Sequence, residues 1–130
     1  MSSFNVPKIP PQAHVLLVCH NRSGLAARKA VLEELGYRIT PAVSGEEALE
    51  LFPKSKYDLV ITDYRMGRMD GIELIRRIRG IDECAKVILL SGHAEALGLT
   101  ASSTSADAVL AKSANEVSHL VRAAQRLLRQ

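Results

Sequence analysis

Tryptophan is absent from this 130-residue chain, and only two phenylalanines and three tyrosines represent the aromatics. Single-stranded nucleic acid binds largely by stacking its bases on aromatic rings, so no such platform is available. Neither sign of charge dominates. Seventeen Lys and Arg face fourteen Asp and Glu, a net charge of +3 that is spread over the helical segments rather than gathered into a patch, which gives no footprint for direct nucleic-acid contact. Cysteine occurs twice, at Cys19 and Cys84, too few for a disulfide framework. No apolar run approaches the roughly 20 residues of a membrane span, and no secretory signal is visible. These absences lead us to expect a reduced, cytoplasmic protein that meets neither nucleic acid nor membrane.

What is present is enough apolar material for one packed domain: 47% of the residues are hydrophobic and 24% charged, a globular balance. Residues 1–12, MSSFNVPKIPPQ, hold three of the five prolines and read as a flexible N-terminal arm. From residue 13 onwards strand and helix signals alternate. HVLLVC (14–19), YDLVITD (57–63), KVILLSG (86–92) and DAVLAK (107–112) are apolar runs of the kind buried on both faces. YRITPAV (37–43) carries Pro41, which suits an edge strand.

Between them lie helical patterns. Residues 23–36 place Leu25, Ala26, Val31, Leu32 and Leu35 on one period and close at Gly36. Residues 44–52 open with Ser44 and Glu47 in capping-box spacing and stop at Pro53. Residues 70–80 open with Asp70 and Glu73, and 115–128 turn Val117, Leu120, Val121, Ala124 and Leu128 inward. The segment 93–106, rich in Gly, Ser and Thr, is a poor helix former and predicts a short, frayed or mobile helix.

Strict alternation of this kind means βαβ units and a parallel sheet, an α/β fold. Ligands of such sheets bind outside the carboxyl ends of the strands. The strand ends here are Cys19, His20, Asp63, Ser91 and Lys112. A carboxylate, a hydroxyl and an ammonium at one sheet edge suit a phosphoryl group: Asp63 as nucleophile, Lys112 as counter-charge, Ser91 as hydrogen-bond donor.

Six pieces, VLLV, LEELGY, SGEEALELF, YDLVITDYRMGRMDGIELIRRIR, VILLSG and ADAVLAK, together resemble the receiver domain of bacterial two-component response regulators over residues 14–128. The resemblance implies a doubly wound, flavodoxin-like (βα)5 three-layer sandwich with a five-stranded parallel sheet in the order 2-1-3-4-5. That order is a property of the family and does not follow from any pattern in this chain. A receiver domain over 13–130 is implied with it. The resemblance also implies that Asp63 is the phosphoacceptor and that Ser91 and Lys112 contact the phosphoryl group. The implied partners are a histidine kinase or phosphotransfer protein, an output protein or domain that the sequence does not name, and a second copy in a homodimer. Catalysis is expected to go no further than self-phosphorylation from a phosphodonor. The chain is either a stand-alone receiver or a piece of a longer protein.

The family also implies Mg²⁺, held by an acidic pair after the first strand, by the phosphoacceptor and by a backbone carbonyl, here that of Arg65. Cys19 and His20 stand at the acidic positions. Mg²⁺ wants oxygen ligands and binds through carboxylates, so weak metal binding and impaired phosphorylation are expected. Two other uses of the pair are an imidazolium beside Asp63 at acidic pH and a transition-metal site of Cys19, His20 and Asp63; the commonest role of such a cysteine is a small buried hydrophobe. Ser113 replaces the family's proline after the lysine, Gly67 a proline after Met66, and Val109 the aromatic switch residue. A trans peptide and a shifted lysine loop are expected at Ser113. These departures make a phosphorylation-independent pseudo-receiver, a protein-interaction module, the alternative.

Overall fold

The computed structural model describes residues 13–92 and 97–129. Five strands are observed: β1 (His14–Val18), β2 (Arg38–Ala42), β3 (Leu59–Asp63), β4 (Val87–Ser91) and β5 (Ala108–Ala111). They alternate with five helices: α1 (Arg22–Glu34), α2 (Gly45–Leu51), α3 (Gly71–Ile81), α4 (Ala101–Thr104) and α5 (Glu116–Leu128). A single 3-10 turn at Phe52–Lys54 follows α2, where Pro53 ends regular helix. All pairings are parallel and the sheet order is β2-β1-β3-β4-β5. The expected α/β sandwich is therefore the fold. The expected arm, residues 1–12, lies outside the described residues.

Two apolar clusters sandwich the sheet. On one side Val15, Leu17, Ile61 and Leu90 meet Leu32 of α1 and Leu120, Ala124 and Leu127 of α5. On the other Leu16, Val60 and Leu89 meet Ala48 of α2 and Leu74, Ile75 and Ile78 of α3. Successive strand residues point to opposite faces, so burial on both sides requires the unbroken apolar runs. β1, β3 and β4 are buried at every position. The outer strands differ: β2 is half exposed and carries Pro41, and β5 is buried only at Ala108. DAVLAK thus forms an edge strand, because no further strand lies beyond it among the described residues.

Helix starts follow their capping residues. Asn21, Ser44 and Asp70 each accept a backbone N–H of the first turn. The Ser44 box is only half formed, since Glu47 reaches back to the N–H of Val43 rather than that of Ser44.

The low-propensity segment does contain a short helix, the four-residue α4; residues 93–96 of the predicted span lie outside the described residues. A reciprocal Thr100–Ser103 capping box starts α4, and Ser105 ends it in the left-handed region at φ 65°. What holds this stretch is Arg79 of α3, which donates to the carbonyls of Ala85 and Ser105 and to the Asp107 carboxylate at 3.2 Å.

Two inner faces depart from the apolar pattern. In α1 the buried residues are Arg28 and Leu32, while Ala26 and Leu35 are exposed. In α5 Val117 is 50% exposed. The inward row runs Glu116, Leu120, Ala123 and Ala124, Leu127, so a carboxylate takes the first place that an apolar search gives to Val117.

Candidate functional site

The carboxyl ends of β1, β3, β4 and β5 bring the singled-out residues to one edge. Asp63 is the last residue of β3 and 2% exposed. Its Oδ2 accepts the backbone N–H of His20 at 3.3 Å. Its Oδ1 lies 2.8 Å from Lys112 Nζ, yet has no hydrogen-bond partner of proper geometry. Lys112 follows β5, and its backbone N–H donates to the Ser91 carbonyl at 3.1 Å. Ser91 ends β4 and shares with Tyr64, Arg65, Leu90, Gly92 and Lys112 a recess of about 230 Å³. No cis peptide occurs among the described residues, and with Ser113 in place the lysine still reaches Asp63.

Gly71 makes this packing possible. A Cβ there would collide with the Asp63 carbonyl and lie 2.6 Å from Leu89 Cδ1. The Gly71 N–H donates to the Tyr64 carbonyl at 2.7 Å, pinning the loop after β3 to the start of α3.

Cys19 and His20 follow β1. Cys19 is fully buried in the α1–α5 cluster. Burial, and next the Asp63 charge, push its thiol up to about 11 despite the opposing pull of Arg28. It is a protonated small hydrophobe, not the thiolate that nucleophilic or metal chemistry requires. His20 is exposed and addresses Asp63 through its backbone, not its ring, in the hydrogen bond seen. Among the described residues no group of three or more His, Cys, Asp or Glu is placed to hold a metal, which removes the Cys19–His20–Asp63 transition-metal site.

Arg28 and Glu116 belong to this edge and are invisible to an apolar search of the sequence. Arg28, 9% exposed, donates Nε and Nη2 to the two oxygens of Glu116 at 2.6 and 3.1 Å. Its Nη1 lies 3.3 Å from Cys19 Sγ and 3.8 Å from Asp63 Oδ1. Burial opposes its charge, but the Glu116 hydrogen bonds outweigh that and hold the guanidinium ionised more firmly than usual. The sequence signal is positional only: Arg28 stands between Leu25 and Leu32 on one helical face, and Glu116 four before Leu120.

The family model described as response regulator receiver domain matches residues 15–125. The chain belongs to that family. Among solved receivers, response regulator protein TrrA from Thermotoga maritima, in complex with Mg²⁺-BeF, is 34% identical, with a TM-score of 0.81 over 89% of this chain and 99% of that one. Sporulation initiation phosphotransferase F of Bacillus subtilis is 37% identical over 50% of this chain and 52% of its own length. The gliding motility regulatory protein of Myxococcus xanthus is 36% identical over 87% of this chain but only 15% of its own. This receiver thus spans about half or less of these curated relatives. Receivers are two-component signalling modules that bind Mg²⁺ and work with histidine kinases or phosphotransfer proteins. In this receiver no helix of the described residues is long and apolar enough to cross a membrane.

Proposed function

We propose that this receiver takes a phosphoryl group on Asp63, with Ser91 and Lys112 contacting it, and that Mg²⁺ adds little to the reaction. The observation that carries the reading is the meeting of Asp63 Oδ1, a buried carboxylate oxygen, with the Lys112 ammonium at 2.8 Å on the strand-end edge that also holds Ser91. The ammonium already compensates the carboxylate charge, and it stands where it can meet the oxygens of a phosphoryl group bonded to Asp63. In the step, a carboxylate oxygen of Asp63 attacks the phosphorus of a phosphodonor. The new O–P bond forms as the donor's bond from phosphorus to its leaving group breaks, P–N in a phosphohistidine and P–O in acetyl phosphate, and the leaving group departs with that electron pair.

The donor set argues against a tightly held Mg²⁺. A neutral thiol and an exposed imidazole stand at the positions after β1, so the oxygen ligands that remain are the Asp63 carboxylate and the Arg65 carbonyl. A guanidinium already lies 3.8 Å from that carboxylate. A dication seated on that carboxylate would be repelled by the guanidinium beside it.

A second reading, a phosphorylation-independent interaction module for an output partner or a second copy, is favoured by the same Arg28 contact, because Asp63 is already charge-compensated. Either way the chain is a signalling module rather than a turnover enzyme. Incubation with acetyl phosphate, with and without Mg²⁺, followed by intact-mass measurement, separates the two. A single phosphoryl adduct lost in D63A supports the first reading; no adduct under any cation leaves the second.

A further inference from the structure

The Arg28 guanidinium has three nitrogens and uses two of them on Glu116. The clamp is bidentate, which fixes the plane of the group as well as its place. The third nitrogen, Nη1, is turned toward Cys19 and Asp63. A protonated thiol is a weak acceptor, and 3.8 Å to Asp63 Oδ1 is beyond hydrogen-bond reach. Nη1 therefore keeps donor capacity beside an oxygen that lacks a hydrogen bond. Before any anion joins, Arg28 and Lys112 offset the charges of Asp63 and Glu116 without an added ion.

We propose that Arg28, clamped by Glu116, is the resident cation of this site and takes the electrostatic part that a divalent metal plays elsewhere in the family, so that a phosphoryl-type anion joins Asp63 without added metal. This rests on Asp63 being the phosphoacceptor. Guanidinium suits the part. It is always charged, it offers N–H donors to phosphoryl-type oxygens, and it is more weakly hydrated than an ammonium, so its burial costs less than a lysine's would. Lys112, at 2.8 Å from the same carboxylate oxygen, supplies the second cation. Glu116 is a positioning residue: its carboxylate holds the guanidinium plane and makes no contact with Asp63 among the described residues.

The test is beryllofluoride binding to the whole chain, followed by fluorine NMR in metal-stripped buffer and again with Mg²⁺. The expected result is a bound signal in metal-stripped buffer, with an affinity within about twofold of that in Mg²⁺. R28M should lower the metal-free affinity by about tenfold or more, and R28K, which keeps the charge but not the fork, by less. E116D keeps the carboxylate and shortens its reach; it should weaken metal-free binding about threefold or more, and it serves if R28M does not fold. Binding seen only with Mg²⁺ overturns the resident-cation role and leaves Asp63 as acceptor. Metal-free binding that is unchanged in both R28M and E116D overturns it as well. No binding in either buffer overturns both this role and the phosphoacceptor reading.

Discussion

Arg28, Glu116 and Cys19 show how a charged pair is accommodated in a core cluster: the two ions satisfy each other, and the cysteine stays neutral. Breaking a buried pair by removing one partner strands the other charge. His14 shows a different balance at the opposite end of β1. It is 7% exposed, its Nε2 is 2.6 Å from Thr40 Oγ1, and burial and then the nearby Arg38 lower its pKa from 6.5. The unfolded chain binds a proton there more readily than the folded one. Stability is therefore unaffected above about pH 6.5 and falls as the pH drops below that value. Thermal melts of wild type and H14N between about pH 7.5 and 5 check this: the wild type should lose stability over that range and the variant should lose less. Gly71 sets the geometry of the acceptor loop by having no side chain. G71A should cost about 1–3 kcal/mol in a denaturant titration, and it should move the Asp63 and Tyr64 amide resonances, because the added methyl meets the Asp63 carbonyl and, past the Leu89 side chain, Tyr64 Cα.

At the scale of elements, the α4 region depends on neighbours more than on its own sequence. A four-residue helix closed by a left-handed serine has little intrinsic stability. Arg79 supplies an anchor from α3 through Ala85, Ser105 and Asp107, and Asp107 in turn accepts the Val87 N–H at 2.7 Å. R79A should destabilise the domain by about 1–2 kcal/mol. Hydrogen exchange should accelerate across 101–108 well before the amides of β1 and β3, and uniform acceleration would contradict the anchor. Helix starts are readable locally, since Ser44 and Asp70 cap within three residues of themselves. The Thr100–Ser103 box escapes a search for capping boxes because serine, not glutamate, closes it. The inward rows of α1 and α5 defeat an apolar reading for one reason: a charged residue on the inner face looks like a solvent-facing one until its partner, 88 residues away, is known.

For the whole molecule, the proposed charge balance at the sheet edge makes a thermodynamic forecast. Any ligand of the native state raises stability by mass action, by about 1.4 kcal/mol at a concentration roughly ten times its Kd. Melting the wild type in millimolar MgCl₂, against a salt control of equal ionic strength, should give no shift. A Mg²⁺-specific rise would show a metal seat that Arg28 does not fill. The two helices joined by the Arg28–Glu116 pair lie on the same side of the sheet as the Asp63 side chain.

The order of strands and helices, the edge position of the Pro41 strand and the list of strand-end residues were all determined by the sequence alone, because each depends on local capping, a period of 2 or 3.6, or an apolar run long enough to be covered twice. Which charges meet at that edge was decided only by the tertiary structure. Arg28 and Glu116 are brought together by the packing of α1 and α5 on one face of the sheet, and an ion pair of that separation leaves no periodic trace in the chain.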